Sequence, residues 1–447
     1  MGLLDKFTGD DGPRVAFVGI DGVPQAVLRD GIERGFMPNV AEMAENGTLA
    51  GIDSTVPPES SACWPAMTTG TNPGKTGVLG FQERREGTYE TYVPLSQHVD
   101  GERVWNIVGD AGERSVVLNV PVTYEPEDIE GTLVSGFLTP TVDDASADER
   151  VVDYLRSNDY RIDTDASLGH EDKREFLEDA YETLESREES FHHFMDEDWS
   201  LFWGVVMETD RVNHFLYEDY DRDGELADEF VEFYERVDDV IGGIRERLDD
   251  ETTLIIAADH GFCTLDHEVD LNAWLQREGW LSLAEDGDSL DDIDDGTRAY
   301  SLIPGRFYIN LEGREPRGTV SEDEYDDVRD ELADELRALE DPDGEPVVER
   351  VVYREDVYDG DNYERTPDLV AIPTRGHDLK AGFDADADVF SKGARNGMHT
   401  FDDAAFVVEG ADVDATDADI LDVAPTVLDL LDIDTPEAMD GESLLIE

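Results

Sequence analysis

The chain has 447 residues, enough for a large core built as two or three domains or as one large α/β domain with insertions. It carries 111 Asp and Glu against 34 Lys and Arg, a formal net charge of -77, and only five of the basic residues are Lys. A surface of that sign excludes nucleic acid and anionic membranes as partners.

The first apolar run, Arg14 to Ile20, reads as a buried strand closing on Asp21-Gly22. Residues 23–48 follow as one helix, with Val27, Ile32, Met37 and Val40 on its apolar face. Ser115 to Val120 is a further strand, and residues 141–198 form a charged, mostly helical insertion expected to act as a lid or flank. Leu201 to Met207 is a strand ending at Glu208-Thr209-Asp210. Leu226, Phe230, Phe233, Val237, Ile241, Ile244 and Leu248 recur at helical spacing over 224–248. That helix leads into the strand Thr252 to Ala257, which ends in Ala258-Asp259-His260-Gly261. Alternation of strand, helix and strand predicts a doubly wound, mostly parallel sheet flanked by helices.

An acidic, Gly-containing linker at 284–297 then opens a small α/β unit: strand 306–310, helix 321–339, strand 346–353. It reads as an inserted cap over 298–365, which leaves 12–283 and 366–447 as the core. The core closes with the strand Ala404 to Glu409 and a helix through Ile420, Val423, Val427, Leu430 and Leu431.

The acids are spread along the whole length and hydrophobic content is 39%, so the charge reads as adaptation to high salt of the haloarchaeal type rather than as disorder. The only cysteines, Cys63 and Cys263, make no disulfide framework. No apolar run approaches the ~20 residues that span a bilayer. The start, Met1 to Phe7, is too short and acidic for a signal peptide. A cytoplasmic location is expected.

Three strands end in carboxylates, Asp21, Asp210 and Asp259, at the edge where open α/β sheets collect ligands. His214 and His260 lie beside them, and His399 sits in a Gly397-Met398-His399 segment after the inserted unit. The spacing of Asp210 and His214 puts both on one face of a helical turn. Asp259 and His260 are neighbours on an extended chain, and alternation would point them at two different ions. Carboxylates with imidazoles in this ratio suit Zn2+ or Mn2+. The other six of the nine histidines show nothing comparable; His192 and His193 read as solvated or packing residues on a charged helix. A hydroxyl is also at hand. Ser60 and Ser61 follow Pro57-Pro58-Glu59 as if opening a helix, where main-chain N–H groups bind anions. A metal on that hydroxyl would activate it. Without the metal-type residues, Ser60 would read as an ordinary N-cap.

Together these pieces resemble the alkaline phosphatase superfamily, in particular its type I phosphodiesterase/nucleotide pyrophosphatase branch and the related phosphohydrolases and phosphomutases. The matching segments are Gly19-Ile20-Asp21-Gly22, Pro57 to Gly70 with Asn72-Pro73-Gly74-Lys75, Glu208-Thr209-Asp210 with His214, Ala258 to Gly261, Asn310 to Arg314, Gly397-Met398-His399, Asp422 to Leu431 and Met439-Asp440-Gly441. The resemblance implies an alkaline-phosphatase-like fold and two divalent cations, Zn2+ or Mn2+. Asp21, Asp259, His260 and the nucleophile Ser60 would hold one cation, and Asp210, His214 and His399 the other. It thus places Asp259 and His260 on one ion, where alternation suggests two. It also implies a small phosphate ester as substrate, with Ser61 and Cys63 beside the phosphate. Cys63 stands where a phosphate-contacting Asn is expected of nucleotide pyrophosphatases.

Rival readings are weaker. Gly70 to Thr76 has three residues between its glycines where a P-loop needs four. Cys63-Trp64-Pro65-Ala66 is followed by Met67, where a sulfatase needs Arg. A non-catalytic scaffold would need six metal-type residues at strand ends and loops by chance. With Lys scarce and no Arg tied by spacing to Ser60, a diester is favoured over a monoester or a mutase reaction, and the two insertions are expected to select the leaving group.

Overall fold

The computed structural model describes residues 12–284, 287–384 and 387–446. Met1 to Phe7, read above against a signal peptide, lies outside them, as do residues 285 and 286 of the acidic linker. The core is a seven-stranded sheet: β1 Arg14–Ile20, β2 Gly47–Ile52, β3 Ser115–Val120, β4 Gly131–Ser135, β5 Leu201–Val206, β6 Thr252–Ala257 and β7 Ala404–Glu409. Their spatial order is β2-β7-β6-β1-β5-β3-β4. From β6 through β1, β5 and β3 to β4 every pairing is parallel, and β7 runs antiparallel between β6 and β2. β1, β5 and β6 are all but fully buried, as expected of strands covered by helices on both faces.

The helix expected over 23–48 is two helices, Gln25–Arg34 and Pro38–Asn46, followed by β2. Gly35 ends the first in the left-handed region (φ 82°), and Pro38 opens the second at a position that needs no N–H. The helix expected over 224–248 spans Ala227–Arg245 and packs its apolar stripe into the main core.

Of the two roles expected for residues 141–198, lid or flank, their packing matches the flank. Helices Glu149–Ser157 and Lys173–Phe194 join the main core, and Phe191 meets Phe202 of β5 edge to face. The cap boundary also moves. Leu369–Pro373, expected in the returning core, pairs inside a four-stranded antiparallel sheet ordered Ala299–Leu302, Arg306–Ile309, Leu369–Pro373, Val348–Tyr353. Helix Tyr325–Arg337 covers it. A second sheet places His267–Asp270 between His377–Lys380 and Phe390–Ser391. Val269, Leu271, Leu275, Phe307, Leu332, Leu336 and Leu369 share one hydrophobic core distinct from the main one, so the smaller unit begins near residue 267 and ends near 390. A two-stranded ribbon, Gly261–Thr264 against Gly397–Thr400, joins the units and sets His399 opposite Phe262.

Candidate active site

The C-terminal ends of β1, β5 and β6 meet on one edge of the sheet, and each loop there delivers a buried carboxylate: Asp21, Asp210 and Asp259, none more than 1% exposed. Helix Ser60–Thr69 begins on the same edge with Ser60 as its first residue. Ser60 Oγ lies 3.3 Å from Asp21 Oδ1 and 3.1 Å from His260 Nε2. His260 Nε2 is in turn 3.7 Å from Asp21 Oδ1 and 3.5 Å from Asp259 Oδ2. Asp259 and His260 therefore converge rather than diverge. The chain turns after β6, so the strict alternation assumed for an extended strand does not carry through them.

The second group sits alongside. Helix Glu208–Asp221 starts directly after β5 and presents Asp210 and His214 one turn apart, with Oδ1 and Nε2 separated by 3.4 Å. The ribbon brings His399 Nε2 to 3.2 Å from Asp210 Oδ1 and 3.1 Å from His214 Nε2. His260 and His399 stack with ring centres 3.8 Å apart, which makes the two groups contiguous.

The donor set fits cations. Nδ1 of His214, His260 and His399 faces the carbonyl oxygens of Gly397, Gly261 and Pro58 at 3.1–3.2 Å. A carbonyl only accepts, so the proton belongs on Nδ1 and each Nε2 turns a lone pair into the site. Two such lone pairs 3.1 Å apart repel unless a cation lies between them. Burial also pushes the imidazoles of His214 and His260 below the ordinary range, which keeps them neutral. Asp259 Oδ1 accepts the Gly22 N–H at 3.1 Å, while its fully buried Oδ2 has no hydrogen-bond partner among the described residues. Burial raises the Asp21 carboxyl well above the ordinary range, with Asp259 and Asp210 adding to it. Burial likewise raises Asp259, to about 7, against the Gly22 N–H. For Asp210 burial acts upward too, but His214, His399 and Arg211 outweigh it and hold the carboxyl well below that range. Three carboxylates crowded out of water need positive charge.

A layer beneath the site holds these groups. Trp64, one turn along the helix from Ser60, donates from Nε1 to Asp21 Oδ2 at 2.7 Å. Thr209 donates to the Asp21 carbonyl at 2.7 Å, and Asn213 to that of Gly22 at 2.7 Å. The C-terminal Asp440-Gly441 pair closes the far end of the Ser60 helix, both N–H groups donating to Gly70 O, and Asp440 pairs with Lys75. Lys75 therefore faces away from any phosphate.

A cleft of about 300 Å3 opens on this centre, lined by Glu59, Ser60, Asp210, His214 and His399 on one side. Phe81, Phe137, Ile303, Pro304 and Leu379 give it an apolar wall, and Arg211, Lys380 and Arg395 give it positive charge. The smaller unit thus contributes to the cleft, while residues 141–198 do not line it; their Asp163 holds Arg211 at 2.8 Å. Ser61 and Cys63 are fully buried. Cys63 does not reach the cleft as expected, because its position on the helix turns Sγ to the Ser54 and Thr55 hydroxyls, both at 3.2 Å. Trp64, Arg395 and Lys380 carried no signal in the sequence, since no motif spacing ties them to Ser60.

Solved structures of the same shape are hydrolases. Phosphonoacetate hydrolase from Sinorhizobium meliloti 1021 superimposes with a TM-score of 0.62 at 16% identity, over 94% of this chain and 96% of that one. The alkaline phosphatase PafA gives 0.61 at 14% identity, over 97% and 99%. Murine ectonucleotide pyrophosphatase/phosphodiesterase 5 gives 0.57 at 13%, over 97% and 100%. At these identities the likeness is one of fold. No curated protein sequence matches. Residues 15–402 match the model of the type I phosphodiesterase/nucleotide pyrophosphatase family, a span that takes in every carboxylate and imidazole of the centre. The chain belongs to that family and is a phosphoric ester hydrolase.

Proposed function

We propose that the protein cleaves a small phosphate ester through a covalent phosphoseryl intermediate on Ser60, at a centre built for two divalent cations. Asp21, Asp259 and His260 would hold one cation beside Ser60, and Asp210, His214 and His399 the other. Such a pair, Zn2+ or Mn2+ by its oxygen and nitrogen ligands, supplies charge neutralisation at phosphorus and activates hydroxyls for attack. Ser60 Oγ then displaces the alcohol in line, forming a Ser60–phosphorus bond as the ester bond breaks. Water releases the phosphate in a second displacement, restoring the hydroxyl. Ala62 and Cys63 donate to the Glu59 carbonyl, while the Ser60 and Ser61 N–H groups have no hydrogen-bond partner among the described residues and would be open to the transferred group.

The observation that carries this reading is the position of Ser60 Oγ, within 3.3 Å of both a buried carboxylate and an imidazole of the centre. Ser60→Ala, assayed with aryl esters in concentrated KCl plus Zn2+ or Mn2+, should abolish turnover and leave the bound-metal content unchanged. Near-wild-type turnover in that variant would remove Ser60 from the nucleophile's role.

Arg211, Lys380 and Arg395 at the cleft favour a second reading. The preference for a diester rested on a lack of cations near Ser60, and the fold brings three there from distant parts of the chain. A phosphomonoester has a third charged oxygen for such groups to meet, so a phosphomonoesterase stands beside the phosphodiesterase. An aryl monoester and an aryl diester compared at equal metal separate the two. The free, buried Cys63 and Cys263 fit a reducing compartment, which supports the cytoplasmic reading.

A further inference from the structure

We propose that the smaller unit carries a separate divalent-cation site, formed by His267, His377 and Asp341 with Asp343 at its open side. His267 and His377 are directly paired residues on adjacent parallel strands, so both side chains leave the sheet on one face. Their rings lie nearly parallel with centres 5.6 Å apart. The turn after helix Tyr325–Arg337 lays Asp341 across them. Asp341 Oδ2 is 3.1 Å from His377 Nε2 and 3.8 Å from His267 Nε2. A tetrahedral ion with bonds of about 2.0–2.1 Å separates its ligand atoms by roughly 3.3 Å. The observed spacings bracket that value.

The remaining atoms are arranged for the same end. Asp341 Oδ1 is taken by the N–H groups of Asp343 and Glu345, each at 2.9 Å, which fixes the carboxylate and aims Oδ2 at the imidazoles. His377 Nδ1 faces the Thr374 carbonyl at 3.3 Å, an acceptor that would hold the ring proton on Nδ1 when Nε2 turns to an ion. A protonated His377 would account for one contact with Asp341. It would not account for a second imidazole aimed at the same oxygen from beyond hydrogen-bond reach. Asp343 is exposed, yet one of its oxygens falls within 4.8 Å of the ligand atoms of both His267 and Asp341. Two imidazoles with one or two carboxylates suit Zn2+, Co2+ or Ni2+ rather than Ca2+ or Mg2+.

The site has a mechanical meaning. A bound ion would fasten the 341–345 turn to the strand His377–Lys380, and Asp378, Leu379 and Lys380 of that strand line the catalytic cleft. It would stiffen one cleft wall without touching the reacting atoms.

The test compares wild-type protein with His267→Ala and Asp343→Ala after equilibration with Co2+ in concentrated KCl. Bound cobalt is counted by elemental analysis, and unfolding in EDTA checks the fold. His267 is partly exposed and Asp343 exposed, and neither replacement opens the core. His267→Ala should bind one ion fewer per chain than wild type while unfolding normally in EDTA. Asp343→Ala should keep that ion with a Kd raised about tenfold or more. Equal cobalt content in wild type and His267→Ala, with Asp343→Ala titrating like both, overturns the proposal. The count by difference does not depend on how many ions the catalytic centre holds.

Discussion

Trp64 Nε1 donates a 2.7 Å hydrogen bond to Asp21 Oδ2, so the helix that starts with Ser60 also orients the carboxylate beside it. The indole is fully buried and reaches Gly19 of β1 so closely that a Cβ there would sit 2.3 Å from the ring. Gly19 is thus the space that lets Trp64 reach Asp21. Trp64→Phe keeps most of the packing and removes the donor. Leaving that buried oxygen unpaired should cost about 1–3 kcal/mol of stability. Loosening Asp21 should weaken metal binding by about 10–100-fold. Metal titration of the variant checks this; an unchanged affinity would mean that the bond only packs the helix.

Arg395 lines the cleft and, among the described residues, has neither a hydrogen bond nor an ion pair, in a chain where acids outnumber bases more than threefold. Arg211 and Lys380, by contrast, are paired with Asp163 and Asp378. An unpaired guanidinium at a catalytic mouth is available to a substrate anion. If it meets the third oxygen of a monoester, Arg395→Ala should lower kcat/KM for an aryl monoester by roughly 10–100-fold, the worth of a charged hydrogen bond. The aryl diester should change much less. Equal losses on both substrates would make Arg395 a general electrostatic contributor and weaken the monoesterase reading.

Much of the centre could be read from the chain because its parts are local. A short apolar run ending in a carboxylate marks a strand end, and the spacing of Asp210 and His214 marks a helical face. Both signals survive without the fold. What could not be read depends on pairings between remote segments. Leu369–Pro373 looks like any core strand until its partners Phe307 and Tyr353 are known. His267 and His377 appear unrelated until their strands align in register, which is why the histidines outside the centre showed no pattern. Cys63 was misread for a different reason. Its distance along the chain from Ser60 is short, but the helix turns it toward Ser54 and Thr55.

Asp259 makes the metal-free protein sensitive to pH in a defined direction. Its folded carboxyl holds a proton up to about 7, against 3.8 for an ordinary aspartate. Between these values the folded chain binds more protons than the unfolded one, so stability falls as pH rises through the window. The effect is of order a few kcal/mol at most. EDTA-treated protein should therefore melt higher at about pH 5 than at about pH 8 by more than Asp259→Asn does, since the amide cannot titrate. Metal uptake, which needs the carboxylate ionised, should strengthen over the same interval and release protons. Parallel pH slopes in EDTA for wild type and Asp259→Asn would rule out this linkage.

The net charge of -77 predicts a fold whose stability depends on salt. Thirty-four basic residues cannot offset 111 acids whatever the pairing, so the surface repels itself. Two effects of salt compete. Screening weakens the exposed ion pairs, such as Arg150–Asp148 and Arg337–Asp334, but each of these is worth only about 0–1 kcal/mol. Screening also shortens the reach of like-charge repulsion from about 10 Å at 0.1 M to about 3 Å at 1 M, and the unpaired acids far outnumber the pairs. Repulsion relief should win. Tm should climb steadily with KCl from about 0.1 M to about 2 M, and because KCl strengthens burial little compared with sulfate, the gain should come from charge screening. Replacing KCl by an isosmotic amount of sucrose separates charge screening from general exclusion: sucrose should recover only a minor part of the gain. A Tm that is flat or falls with KCl would show that this acidic surface is not what sets the stability of the fold.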